Sequence, residues 1–331
     1  MLDWNAIRQF WSKRALAQAS GVVGLCRYEE GIAIAHGERD GDGQWHVRDA
    51  DFQPVTGEQA QANFVNQWIR ERRLAGAVCH YVLNPKDYEL LLLEAPPVED
   101  SELLDAALWR VKDLIKQPIE EMAVDVMRLP TDAYRGRMNM IYAVCAKKAD
   151  IKSIVRFIKQ CELTPDVIDI PEMCMRNLLA YIEDADVGSV ATLGLRRSSG
   201  EMVIYSHDAM YLTRQIEAGI KNFQMQTGGG LSLDNGLPLD QLSLDIQRSL
   251  DYYESQLGKG TVKRIYFLPI TDEHLELVDD LSSLVTTPIE SFSIYKSVSL
   301  GFDKTLTPKE QAYCIPVMGA ALRIGVQHAA S

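Results

Sequence analysis

The segment Val190–Arg214, VATLGLRRSSGEMVIYSHDAMYLTR, restricts the fold more than any other stretch. A run with strand character meets a polar break at Arg196–Gly200, then a second run at Met202–Tyr205 and a third at Ala209–Leu212. Val, Ile, Tyr and Thr fill the runs, and Gly, Ser and Asp mark the turns, which is the signature of a β-hairpin. A shorter copy lies at Gly21–Ala35, GVVGLCRYEEGIAIA. Two glycine-containing hairpins, each leading one half of a 331-residue chain, predict a duplicated two-domain protein.

The remaining patterns supply helices between strands. After the first hairpin, Trp45–Val47 reads as a strand and Thr56–Arg73 as a helix, with Ala60, Phe64 and Trp68 at intervals of four. Gly76–Leu83 and Leu90–Ala95 read as strands. A helix follows with Leu104, Leu108, Val111 and Ile115 on one face, and Pro118 closes it. Val124–Leu129 and Met138–Ala146 are strands, Ile151–Cys161 a helix, and Val167–Ile170 a strand before a helix that opens on Pro171. This middle order, β-α-β-β-α-β, fits one ferredoxin-like domain. It fits equally an inserted strand-helix-strand-strand unit whose last helix and strand return to the first domain.

In the second half, Leu242, Ile246, Leu250, Tyr253 and Leu257 make Leu239–Leu257 the strongest helix, with Gly258 just past its end. Arg264–Leu268 and Ile289–Ile294 read as strands, Glu273–Leu284 as a helix and Met318–Ile324 as a small-residue helix. Gly228–Gly230 reads as loop, because no strand precedes it and no Lys-Ser/Thr pair follows. Near the start, Trp4, Ile7 and Trp11 form a helical stripe with Arg8, Lys13 and Arg14 around it. That helix suits an anionic membrane surface or partner, or packing on its own domain.

Composition excludes several classes. Asp plus Glu number 46 against 34 Lys plus Arg, and a formal charge of −12 disfavours nucleic acid. The six cysteines are scattered without a C-x-x-C and sit in apolar runs, so buried free thiols in a reducing compartment are expected. No secretory leader is read at the start, and the apolar runs are too short to span a bilayer.

The C-terminal series of hairpin, SLDIQRSLDYYESQ, RIYFLPI and MGAALRIG is similar to PilM-type pilus-assembly proteins, relatives of the cell-division protein FtsA. LLLEAPPVEDSELLDAALWRVKDLIKQPIEEMAVDVMRLP resembles the inserted subdomain of that family, and ADIKSIVRFIKQCELTPDVIDIPEMCMRNLL the segment returning to the first domain. WRVKDLI and DYYESQL resemble MshI-type components of mannose-sensitive haemagglutinin (MSHA) pilus systems. The resemblance implies an α/β actin-like duplicated fold with an inserted strand-helix-strand-strand subdomain. The divisions expected are an amphipathic helix at 1–20, a first domain at 21–86 and 147–186, an insert at 87–146 and a second domain at 187–331.

In that family the two hairpins clasp the phosphates of ATP, and here both keep the shape without the chemistry. A G-[IL]-D-[IL]-G pattern is replaced by Gly24, Leu25 and Cys26, followed by Arg27 and Tyr28. A D-[IL]-G-x-x-x-T pattern is replaced by Leu193, Gly194, Leu195, Arg196 and Arg197. No A-E-x-x-K match lies between Glu217 and Asp240, and Phe267–Ile270 replaces an L-x-G-G turn. Mg²⁺ is held through carboxylates, and phosphoryl transfer depends on it. The resemblance therefore implies a pseudo-ATPase scaffold without cofactor, at the cytoplasmic face of the bacterial inner membrane. Gly24, Cys26, Gly194, Arg196 and Arg197 would be relics of the nucleotide site. The implied partner is the cytoplasmic N-terminal tail of a PilN-like inner-membrane protein, lying between first domain and insert. Leu91, Leu93, Leu104, Leu108 and Val111 are expected to line that groove. A homodimer and a peripheral membrane contact stay open. The alternative is a working Mg·ATPase drawing on Asp125, Asp166, Asp169, Asp184, Asp186 or Asp208. A sugar-kinase-like enzyme would need a catalytic Asp in a cleft and a glycine-rich adenosine site, and neither is read.

Overall fold

The computed structural model describes residues 21–182, 188–207, 209–224, 237–270, 277–297 and 304–323. The expected N-terminal helix, the Gly228–Gly230 run, Asp184, Asp186 and Asp208 lie outside these residues.

Two five-stranded sheets repeat one plan. In the first, β1 (Val22–Arg27), β2 (Ile32–Arg39) and β3 (Trp45–Gln53) form an antiparallel meander, and β4 (Val78–Val82) and β8 (Thr164–Asp169) add in parallel beside β1. The order is β3-β2-β1-β4-β8. In the second, β9 (Ser189–Leu195), β10 (Gly200–Ser206) and β11 (Ala209–Ile216) form the meander, with β12 (Val262–Phe267) and β13 (Ile289–Ser291) in parallel. Its order, β11-β10-β9-β12-β13, matches the first strand for strand. The two hairpins read from sequence thus head the two sheets. Parallel pairs need long crossovers, and the helices that make them cover the sheet faces.

The middle region is an insert with its own sheet. β5 (Tyr88–Glu94), β6 (Met122–Arg128) and β7 (Met140–Lys147) pair antiparallel in the order β5-β7-β6. Helix α2 (Leu103–Lys112) closes one face over a small core that includes Leu93, Ala107, Val111 and Ile141. β8 pairs with β4 of the first sheet, which excludes the ferredoxin-like alternative.

On one face of the first sheet, α1 (Glu58–Arg72) and α3 (Lys148–Gln160) pack on Val23, Leu25, Ile32 and Ile34 through Val65, Trp68, Phe157 and Ile158. The opposite face carries Gly24, Cys26, Ala33, Ala35 and Gly37, a set of small residues that lets a helix come close. That helix is α9 (Pro308–Ala321), near the C-terminus. The span 187–331 assigned to the second domain therefore contains a helix that packs on the first sheet. α9 also starts ten residues before the expected Met318. Thr307 Oγ1 accepts from the Glu310 N–H, Glu310 accepts from the Thr307 N–H, and Pro308 sits in the first turn. This capping box in TPKE was the overlooked signal.

The remaining helices follow their patterns with shifted ends. α4 (Pro171–Leu179) links the halves and crosses α9, and α6 (Leu237–Ser255) buries Leu242, Ile246, Leu250 and Tyr253. Between them, α5 (Ile220–Gln224) is a short turn of helix. All six cysteines are free and buried, as their apolar settings suggested.

The insert is tied to the second half by the loop before β7. Tyr134 and Arg135 both adopt left-handed backbone, at φ 53° and 57°, a strained conformation for residues with side chains. They are held there by contacts to the end of α6. The Arg135 N–H donates to the Leu257 carbonyl at 3.3 Å, its guanidinium to the Ser255 carbonyl at 2.9 Å, and Tyr134 and Tyr252 hydroxyls meet at 3.2 Å. Asp132 pairs with Lys259 and accepts from the Tyr211 hydroxyl.

Candidate functional site

The first hairpin turn is occupied by the chain's own groups. Because strand side chains alternate, Gly24 and Cys26 point at α9 rather than into a cleft. A Cβ on Gly24 would lie 1.9 Å from the Val317 carbonyl oxygen, so this glycine admits a helix backbone. Cys26 is fully buried, and burial pushes its thiol up to about 12, against any role as an anion or metal ligand. Tyr28 donates to the Tyr313 carbonyl at 3.0 Å and packs edge-on against the Tyr313 ring, which itself stacks on Phe52. Gln61 donates to the carbonyls of Gly31 and Val55, both at 3.1 Å. The exposed tip is Glu29–Glu30; Glu29 pairs with Lys86, and the Glu30 carboxylate would repel a phosphate.

The second turn is closed in a similar way. The Arg196 N–H donates to Ser199 O at 2.7 Å, and the Arg196 and Arg197 carbonyls accept from Ile220 and Lys221 at 2.8 and 3.0 Å. Gly219 lies so close that a Cβ there would be 2.4 Å from the Ser199 nitrogen. The Arg196 guanidinium pairs with Glu201 at 3.1 Å, whereas Arg197 is exposed. Gly194 meets only the Leu268 side chain, 3.4 Å from where a Cβ would stand. These residues do not fit a Mg²⁺-nucleotide cradle, which needs open N–H groups and a carboxylate. Among the described residues, no group of three or more His, Cys, Asp or Glu could hold a metal.

All three parts of the molecule meet at Glu172 in the first turn of α4. The Tyr88 hydroxyl, from the insert, donates to its carboxylate at 2.7 Å, and the Tyr205 hydroxyl, from the second half, donates to its carbonyl at 2.8 Å. Burial first, and the charge of Glu201 second, push the Glu172 carboxyl up to about 8, while the Tyr88 hydrogen bond opposes the rise.

None of the five residues expected to line a partner groove lines the groove between first domain and insert. Leu93 and Val111 are buried in the insert's own core, and Leu91, Leu104 and Leu108 pack against it. Their helical and strand periodicity identifies an apolar face, and α2 closes that face on its own sheet. The groove between first domain and insert exists on the other edge. It encloses about 480 Å³ and is lined by Ala123–Met127 of β6 and Asp166–Ile170, from β8 and the residue after it. Five consecutive residues from each side line it, although strand side chains alternate between faces. Two strand edges rather than two faces therefore border the groove. Among the described strands, β6 pairs only with β7 and β8 only with β4, so both edges are open. Apolar side chains of Leu83, Val144, Ile151 and Met173 complete the lining.

Sequence reading named the chemistry here but not the place. Asp125, Asp166 and Asp169, candidates for an ATPase site, come together in this groove, away from both hairpin turns. Asp169 is buried and bound by Arg323 at 2.5 Å, and Asp166 lies 3.1 Å from His80 Nε2.

No protein-family model and no curated protein matches the chain. Solved structures do. A PilM–PilN type IV pilus biogenesis complex is 17% identical, covers 91% of this chain and 98% of that one, and superposes with a TM-score of 0.67. The cytoplasmic domain of EpsL, an inner-membrane component of the type II secretion system of Vibrio cholerae, is 14% identical over 83% of this chain and 90% of that one, with a TM-score of 0.48. A protein of Bacteroides thetaiotaomicron with an actin-like ATPase fold is 8% identical over 82% and 90%, with a TM-score of 0.44.

Proposed function

The chain has the actin-like ATPase fold, and we propose that it uses this fold as a binding scaffold in type IV, MSHA-class, pilus assembly. The open groove between β6 and β8 carries this reading. It sets two strand edges, neither paired with a further described strand, on either side of an apolar floor. That arrangement captures an extended segment by strand addition, with main-chain bonds giving affinity and side-chain pockets giving selectivity. The occupant proposed is the cytoplasmic N-terminal tail of a PilN-like inner-membrane protein, as the neighbour's complex of PilM with PilN suggests. No helix among the described residues is long and apolar enough to cross a membrane.

Titrating the purified chain with synthetic tails of candidate inner-membrane proteins tests the reading. Val167, half-buried on β8, lines the groove and belongs to none of the three cores. A Val167→Arg substitution fills the groove, and it should weaken tail binding by about 2 kcal/mol, roughly thirtyfold, with an unchanged melting temperature. Equal binding by wild type and variant would place the tail elsewhere and remove the groove from the proposal.

The scaffold reading includes the loss of nucleotide chemistry. Millimolar Mg·ATP should leave the melting temperature unchanged, whereas a ligand at about 100 times its Kd would add roughly 2.7 kcal/mol and raise it by several degrees. Such a rise would favour an ATP-binding member of the same machinery over the pseudo-ATPase.

A further inference from the structure

Helix α3 carries a stripe of cations in a chain whose net charge is −12. Lys148, Lys152, Arg156 and Lys159 are spaced at helical intervals, so at about 100° per residue they share one face of Lys148–Gln160. The opposite face is the one buried through Ile154, Phe157 and Ile158. Lys148 donates to the Glu120 carbonyl at 2.8 Å, and the exposed Glu120 and Glu121 lie at that end of the helix. The Lys152, Arg156 and Lys159 side chains are exposed and make no ion pair or hydrogen bond among the described residues. Asp150, the helix's only carboxylate, sits in the first turn between Lys148 and Lys152, on another face. Glu162, just beyond the far end, is taken by Arg70 at 2.5 Å.

We propose that this face of α3 docks the protein on an anionic lipid surface. Charge complementarity selects the partner: a straight row of unpaired cations, about 10 Å long from Lys152 to Lys159, meets a plane of lipid phosphates. At physiological salt, charges act over about 8 Å, so carboxylates on other faces of the chain do not cancel the row. Each cation near such a surface favours binding about fivefold, and three together roughly a hundredfold. Phe157, the helix's only aromatic residue, is buried, so the stripe offers no ring on which a nucleic-acid base could stack. Ile151 of the same helix lines the groove between β6 and β8, so a bilayer on this face lies beside that groove. Docking by α3 is independent of what the groove holds.

The test is sedimentation of the full chain with two kinds of vesicle: phosphatidylcholine alone, and phosphatidylcholine with phosphatidylglycerol replacing about a quarter of the lipid. The anionic vesicles should bind about a hundredfold better, and added salt should compress the difference. A Lys152→Gln, Arg156→Gln, Lys159→Gln variant should keep the wild-type melting temperature and lose most of the preference. An Arg248→Gln, Lys263→Gln, Lys309→Gln variant, with the same change in net charge at exposed positions outside α3, should retain it. Equal sedimentation with both vesicles overturns the proposal. So does an anionic preference that the α3 variant keeps, which would put the lipid contact elsewhere, the Trp4–Trp11 stripe included. Retention on double-stranded DNA that the α3 variant loses, without vesicle binding, would make the stripe a nucleic-acid site and overturn it as well. None of these outcomes alters the groove reading, which Val167→Arg and tail binding report separately.

Discussion

Gly319→Ala should lower the stability of this protein by about 3 kcal/mol or more, measured as a fall in the urea midpoint at unchanged slope. Gly319 lies where α9 crosses α4, and the Asn177 amide donates to its carbonyl at 3.0 Å. A Cβ there would stand 2.0 Å from the Cys174 carbonyl oxygen and 2.6 Å from its carbon. Both are backbone atoms, so no rotamer change relieves the clash and the two helices must separate. The helices are the connections between the halves, and their separation disturbs the core around Cys174, Leu178, Val317 and Met318. Gly24→Ala should behave alike, because its Cβ would meet the Val317 carbonyl from the strand side. Gly41→Ala and Gly260→Ala, where nothing lies within 4 Å, should stay within about 0.5 kcal/mol of wild type. A normal midpoint for Gly24→Ala would remove the packing account of this residue and return it to the nucleotide hairpin.

The second large effect is on pH dependence. With its carboxyl pushed up to about 8 in the fold and near 4.5 when unfolded, Glu172 binds a proton in the native state that the unfolded chain has released. Its protonated form is therefore fully stabilising below pH 4.5, and that stability is lost as pH rises through 8. The loss approaches 1.4 kcal/mol per pH unit where the two states differ by one proton, of order 5 kcal/mol in total. Glu172→Gln replaces the acid by a neutral group of the same shape. The stability difference between wild type and this variant should widen in favour of the variant from pH 5 to pH 8.5. Parallel curves across that window would show that the carboxylate is solvated in the native state. Tyr88→Phe removes the hydroxyl that donates to the carboxylate, so it should push the carboxyl higher still and steepen the dependence.

Both effects concern residues whose type is plain in the sequence and whose neighbours are not. Gly24 and Cys26 fall at the positions that the sequence resemblance assigned to a phosphate hairpin, and nothing local distinguishes a glycine that admits a phosphate from one that admits a helix. The distinction was made by α9, almost 300 residues away and packed on that strand face. Leu104, Leu108 and Val111 repeat at helical spacing, which identifies a buried face but not the surface that buries it. The insert's own sheet covers them, and a groove opens instead between two strand edges. An edge is a property of sheet order, and no residue pattern in β6 or β8 announces it.

The sequence alone determined the local elements: two hairpins that head the halves, helices with clear apolar stripes, and cysteines placed in apolar runs. These follow from side-chain periodicity and turn chemistry, which act over a few residues. Only the tertiary structure decided that β8 returns to the first sheet, that a C-terminal helix fills the small-residue face of β1 and β2, and that three aspartates share one groove. Each of these depends on pairing between distant segments, where many partners satisfy the same local pattern and close packing admits one.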